Sequence, residues 1–218
     1  MSKNVTGADN QQGSPLVCKL LTNYDPSETT RRAPFSRVSK REIKSYLLGA
    51  LHDASLNKGK NFRFTQKYKK WLETIQILLK KLNCKSWIYK EGRDREMYAL
   101  ETLAKFLDFN FNPNDCKFKS EKIGYIRGFF DAEGGIPHKE DNRFYIQFVQ
   151  KDNLKLRKIK RMLSELDISS GIIHNPSKRV DPNYWRFFIS TKSHIKFAKT
   201  IGSWHPIKFK IFRERMEI

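Results

Sequence analysis

The chain has 218 residues, 39% apolar and 13% aromatic, enough to bury one compact core or two small lobes sharing a seam. Its 43 lysines and arginines against 23 acids give a net charge of +20, which points to a polyanionic partner, nucleic acid ahead of a membrane surface. No apolar run approaches the roughly 20 residues of a spanning helix, no signal-peptide core is present, and Cys18, Cys84 and Cys116 lack the spacing of a disulfide frame or a zinc site, so a soluble, intracellular chain is expected, in a prokaryotic cytoplasm or an organelle.

In chain order, residues 1–39 form a polar arm rich in Ser, Thr, Asn, Pro and Gly, with Arg31, Arg32 and Arg37 near its end. Ser45 to Leu56 (SYLLGALHDASL) reads as an apolar helix running into Asp53, and Asn61 to Lys67 (NFRFTQK) as a strand. Trp71, Leu72, Ile75, Leu78, Leu79 and Leu82 recur at helical intervals. A hairpin of Ser86 to Gly92 with Glu96 to Thr102 follows, then a closing helix over Leu103 to Leu107.

The order then repeats. After a linker at 112–121, Gly124 to Ile136 (GYIRGFFDAEGGI) gives a second apolar helix ending at Glu133, and a hairpin ends on YIQFVQK, Tyr145 to Lys151. Leu82 lies sixteen residues beyond Gln66, and Leu166 sixteen beyond Gln150, closing a second amphipathic helix with Leu156, Ile159 and Leu163. Ser170 to His174 pairs with Tyr184 to Thr191, and Ser193 to Ile201 closes the half. An α+β chain of two pseudo-symmetric α-β-β-α-β-β-α repeats, 40–111 and 122–218, follows, pairing as a homodimer would.

Gly128 and Ala132, four apart, leave one face of the second helix shallow enough for another backbone, and Gly49 or Ala50 with Ala54 offers the same in the first half. Gly134 is expected in the left-handed position that ends a helix. Glu133 then stands beside unsatisfied carbonyls, at a cost of roughly 0.3–1 kcal/mol, and Asp53 from the crossing helix adds repulsion. A divalent metal would relieve both, and an all-oxygen site suits Mg²⁺.

The motif GFFDAEGGI resembles the signature of the LAGLIDADG homing endonucleases, and its doubling resembles their single-chain members, over about Lys40 to Arg215. The resemblance implies antiparallel sheets forming a DNA-binding saddle, motif helices packed at the interface, and a monomer. It also implies a sequence-specific double-strand DNA endonuclease leaving 3′ overhangs, with Mg²⁺ as cofactor and Ca²⁺ supporting binding without cleavage. The last acid of each motif would hold metal, which is Glu133 in the second half. In the first, matching the glycine puts Ala54 there, whereas matching the tail puts Asp53 there and His52 opposite Ala132. Asp53 is preferred because the strand and glutamine then fall in order. The backbones of Ala54 and Ala132 join the metal set, and Asp131 becomes a structural acid. Gln66 and Gln150 match the strand-end glutamines, and Lys117, Lys119, Lys208 and Lys210 the basic residues near the scissile phosphates. The alternative is a catalytically inactive nucleic-acid-binding protein, an intron maturase or a DNA-binding regulator.

Strand alternation selects the residues that would face DNA. In the first half these are Asn57, Lys58, Lys60, Asn61, Arg63, Thr65, Lys67, Tyr89, Glu91, Arg93 and Arg95; in the second, His138, Lys139, Arg143, Tyr145, Gln147, His174, Lys178, Arg179, Tyr184 and Arg186. Phe62, Phe64, Ile146 and Phe148 point to the core.

Overall fold

Ser39 opens the first helix: its hydroxyl accepts from the Glu42 amide at 3.1 Å, satisfying one of the donors a helix start leaves without a partner. The structure is a computed structural model and describes residues 38–92, 95–139 and 141–216; Arg93 and the arm up to residue 37 lie outside these. Helix α1 (Lys40–Ala50) runs into a single 3-10 turn, Leu51–Asp53, and then into strands β1 (Ala54–Asn57) and β2 (Asn61–Gln66). Positive φ at Lys58 and Gly59 makes the turn between them. Helix α2 (Lys69–Lys81) and strands β3 (Ser86–Glu91) and β4 (Met97–Thr102) complete an antiparallel sheet of order β1-β2-β4-β3. The apolar stripe of α2 buries Trp71, Leu72, Ile75, Leu78 and Leu79, with Phe64 and Leu100 fully buried on the sheet. Each such side chain is worth about 1.5–3 kcal/mol over exposure.

The second half begins with α3 (Lys119–Glu133) and continues with β5 (Gly134–Gly135), β6 (Gln147–Gln150), α4 (Asn153–Glu165), β7 (Trp185–Phe188), α5 (His194–Thr200) and α6 (Pro206–Met216). Its sheet has the order β5-β6-β7, around a core in which Phe129, Phe130, Phe148, Phe187, Phe197 and Phe212 meet.

Three expectations need correction. Leu103 to Leu107 forms turns, not a closing helix; five residues are too few to offset the cost of nucleating one, and the turns bring Phe109 to stack on Phe62 at 5.3 Å. Ser170 to His174 contributes isolated bridges, Ser170 to Ile189 and His174 to Arg186, in place of a strand. Lys160 Nζ takes the carbonyls of Ser170 and Gly171, and Ile172 is 78% exposed, which leaves Ile173 to pack on the core without a continuous ladder around it. Gly134 sits at φ −80°, ψ 148°, in extended conformation; a glycine is needed there because a Cβ would collide with the Phe130 ring and carbonyl.

The two motif helices cross back to back. A Cβ at Gly49 would overlap the Tyr125 carbonyl and reach 2.8 Å from the Phe129 amide, and one at Gly128 would overlap the Tyr46 carbonyl and reach 2.9 Å from the Ala50 amide. Gly124 lies against the Glu42 carbonyl in the same way. The notch in α3 is therefore Gly124 with Gly128, not Gly128 with Ala132, and Gly49 is its counterpart in α1. These contacts match Gly49 to Gly128, and by the same offset Tyr46 to Tyr125 and Glu42 to Glu121. At the start of α3 Glu121 caps, accepting from the amides of Lys117 and Phe118 at 2.9 and 3.1 Å, whereas in α1 Ser39 caps and the Glu42 carboxylate is free for the seam. Arg127 binds across the seam, its Nη1 2.6 Å from Glu42 and its guanidinium 4.5 Å over the Trp204 ring.

Candidate active site at the motif-helix ends

From the glycine crossing, α3 continues five residues to Glu133, whereas the first half has only four from Gly49 to Asp53. The 3-10 turn closes the difference: at about 2.0 Å rise per residue against about 1.5 Å, both paths advance about 7.5 Å. Asp53 and Glu133 thus arrive together at the same end of the seam.

Burial raises the Asp53 carboxyl to about 6, partly offset by a hydrogen bond from the Gln66 side-chain amide and by the charge of Lys208. Glu133 is raised by burial and then by the negative charge of Asp53, with the Gln150 amide and Lys208 acting in the other direction. Each acid is therefore served by the glutamine that ends its own strand, and the two acids repel one another. Among the described residues no group of three or more His, Cys, Asp or Glu side chains is arranged to hold a metal. Two desolvated carboxylates, both with raised proton affinity, nevertheless suit a hard divalent cation, provided that water and a phosphate oxygen complete its coordination.

Lys208, on α6, enters the site from below. It is 9% exposed, and its Nζ donates to the carbonyls of Phe130, Asp131 and Gly134 at 2.6, 3.0 and 2.6 Å. All three of its protons are thereby committed, so it caps the end of α3 and supplies charge rather than reaching a phosphate itself. Burial lowers its pKa to about 8, while Asp131, Asp53 and Glu133 pull it back upward.

The other three lysines are not brought to the site. Lys119 begins the 15-residue helix that Glu133 ends, about 21 Å away along the axis, and Lys117 lies just before it with Nζ on the Asn114 carbonyl at 3.3 Å. Lys210 points away to Glu214 at 3.6 Å. The backbone of Ala54 is engaged as well: its N–H donates to the Leu51 carbonyl, and the residue pairs with Phe64 in the β1–β2 ladder. Ala132 lies in the last turn of α3.

Asp131 is 3% exposed and accepts from Tyr46 Oη at 2.8 Å, from the amides of Trp204 and His205 at 2.9 and 3.0 Å, and from Ser203 Oγ. It joins both motif helices to the start of α6, the structural role the resemblance implied. The pseudo-twofold partner of this contact is His52, whose Nε2 lies 3.3 Å from Tyr125 Oη. His52 therefore takes the place of Asp131, not of Ala132. Its Nδ1 lies 3.3 Å from Gln150 Nε2, and burial lowers its pKa to about 4, so the neutral ring accepts from the glutamine and donates to the tyrosine. The sequence carries no mark of the bonding role of His52 or of the capping by Lys208; Pro206, set to start a helix, is the available signal for α6.

On the sheet faces the alternation holds. Arg63 pairs in register with Glu101, and Thr65 with Ala99, opposite the buried Phe64 and Leu100. Asn57 and Asn61 donate to Glu101, Arg63 binds Glu91 at 2.6 Å, and Lys58, Lys60, Lys67 and Arg95 are exposed. In the second sheet Ile146 and Phe148 are fully buried, while His138, Lys139, Arg143, Tyr145, Lys178 and Arg179 are exposed. Gln147, Tyr184, His174 and Arg186 are half-buried, the last donating from Nε to His174 at 3.3 Å.

A model of the LAGLIDADG-like domain matches residues 120–202. No curated protein sequence gives a significant match. Among solved structures, the chain is similar to I-DmoI in complex with DNA and Mn, at 26% identity and TM-score 0.56, covering 75% of this chain and 98% of that one. The same protein with DNA and Ca matches at 26% and 0.56, covering 74% and 90%; it is described as a homing endonuclease. Full-length DUF199/WhiA from Thermatoga maritima shares the fold at 19% identity and TM-score 0.59, with 82% of this chain and 59% of that one covered.

Proposed function

We propose that this chain is a LAGLIDADG protein of single-chain, two-motif form, and a sequence-specific endonuclease that reads a long target in the major groove of double-stranded DNA and cuts both strands with a 3′ stagger. The observation that carries the reading is the meeting of Asp53 and Glu133 at the seam, each hydrogen-bonded by its own strand-end glutamine. Solved complexes of I-DmoI with DNA and with Mn, Mg or Ca support both the partner and the use of a divalent ion.

In this reading Asp53 and Glu133, with the Ala132 carbonyl beside them, hold Mg²⁺, which when bound supplies positive charge to the scissile phosphates and to an attacking water. Gln66 and Gln150 orient the two carboxylates, His52 fixes the Gln150 amide, and Lys208 holds the end of α3 in place while lowering the cost of gathering acids near DNA. The strands of repeats 40–111 and 122–218, joined at 112–121, present their outward polar side chains to the groove, and the loops carrying Lys58, Lys60, Lys139, Lys178 and Arg179 meet phosphates.

The test is to incubate the protein with a randomised duplex library, in Mg²⁺ and in parallel in Ca²⁺, and to sequence bound and newly cut molecules. Cutting confined to Mg²⁺, at a motif shared with the bound pool, supports the endonuclease. A bound motif without cut ends would replace it with a DNA-binding protein that does not cleave.

A further inference from the structure

Two acids of the first sheet, Glu91 and Glu101, stand on the face that, under the reading above, meets DNA, and Glu101 is the buried one. Glu101 on β4 lies in a cross-strand row between Arg63 on β2 and Trp87 on β3, on the side of the sheet opposite α2. It is only 4% exposed, because its neighbours converge on it: Oε1 accepts from Asn57 Nδ2 and from Tyr89 Oη, both at 2.6 Å, and Oε2 accepts from Asn61 Nδ2 at 2.7 Å. Beside it Arg63 is tied to Glu91 at 2.6 Å and keeps a buried Nε without a partner. The bonds from Tyr89 and Asn61 hold the Glu101 carboxyl below its ordinary pKa, so it stays ionised and can only accept.

A carboxylate that only accepts dictates the orientation of every amide bonded to it. Both asparagines must turn their nitrogens toward Glu101 and their oxygens away, and Tyr89 must spend its proton inward, leaving a lone pair outward. Tyr89, its only proton spent, is thereby set to accept, and each asparagine is set to present its oxygen outward with one N–H left beside it.

We infer that Glu101 is a specificity-determining positioning residue: by turning the Asn57 and Asn61 oxygens outward with one N–H beside each, and by leaving Tyr89 a lone pair, it commits this part of the sheet to adenine, and so to A·T pairs. In the major groove adenine alone sets a donor, N6, beside an acceptor, N7, the pair that an outward amide oxygen and its N–H complement, whereas guanine presents two acceptors and cytosine a lone donor. The inference rests on the DNA-reading proposal.

The experiment is selection of bound duplexes from a randomised library in Ca²⁺, with wild type, Asn57→Ala, Asn61→Ala and Glu101→Gln. The alanine variants mark the base pairs the two amides face, and wild type is expected to require an A·T pair there, in either strand orientation. Glu101→Gln, whose amide can turn either way, should reduce that preference by about tenfold at the same base pairs and leave the rest of the profile intact. A G·C pair preferred at those positions, an unchanged Glu101→Gln profile, or a loss spread evenly over the target would each overturn the inference. The alanine variants test the acceptor assignment without altering Glu101, so a poorly folded Glu101→Gln does not protect it. Wild type that enriches no sequence would overturn the DNA-reading proposal itself, an outcome distinct from all of these.

Discussion

Gly128→Ala tests whether the glycine crossing holds the two halves together. An added methyl would overlap the Tyr46 carbonyl and lie 2.9 Å from the Ala50 amide nitrogen, backbone atoms of a helix that has no rotamer to change. Restoring an ordinary separation of about 3.5 Å moves the helices apart by about 0.6 Å at Ala50 and by more at Tyr46. Overpacking of this kind costs about 1–3 kcal/mol, at the upper end here because the obstacle is backbone on both sides. Alanine returns about 1 kcal/mol of helix propensity, which leaves a net loss of about 2 kcal/mol. In a chain of this size that lowers the melting temperature by about 4–8 °C. The control is Gly135→Ala, where the nearest atoms lie at 3.8 and 3.9 Å and the expected change is within about 0.5 kcal/mol. Thermal unfolding of both variants decides the matter. Equal melting temperatures would refute the reasoning, because the crossing would then have slack that the contacts deny.

Asp53→Asn and Glu133→Gln should each abolish cutting, measured on a cloned target, while Kd for that target stays within about tenfold of wild type. Full cutting by Asp53→Asn would remove it from the site. Lys117→Ala and Lys119→Ala should leave the cutting rate within about twofold, since Lys119 lies about 21 Å from Glu133 along α3 and Lys117 precedes it, whereas Lys208→Met, which uncaps α3, should lower both rate and melting temperature. His52 has a folded pKa of about 4, below its unfolded value of about 6.5, so the unfolded chain takes up a proton first on acidification. Its contribution to stability is complete above about pH 6.5 and is lost as the pH falls toward 4, by roughly 2 kcal/mol between pH 7 and 5. Urea unfolding at those two pH values should therefore show a smaller loss for His52→Gln than for wild type; equal losses would mean that His52 is not buried neutral.

The strands and amphipathic helices were legible because their burial is periodic: Phe64, Leu72, Leu100 and Phe148 sit inside as alternation and helical spacing require. The doubled motif was legible through its flanking Gln-Lys pairs. What sequence spacing could not convey was path length. Counting residues from the glycine put the first acid out of register, and only the greater rise of a 3-10 turn, which no residue type announces, restored it. The role of Lys208 was hidden for a related reason: its partners are the carbonyls of Phe130, Asp131 and Gly134, and backbone acceptors leave no mark in a sequence. The short Leu103–Leu107 segment misled because five residues carry too little pattern to separate a helix from turns.

The fasteners along the seam are unequal. Tyr46 meets an aspartate where its counterpart Tyr125 meets a histidine, and Arg127 meets Glu42 where the matching position in α1 is Leu48. A true homodimer must use every contact twice, so this pairing has a handedness that no doubled copy of either half can reproduce. Each half carries, in effect, an address for the other. An exchange of halves between chains of this kind is then governed less by the loop that joins them than by three residues per side, and a foreign first half would be accepted only if it brought an imidazole to Tyr125 and a carboxylate to Arg127.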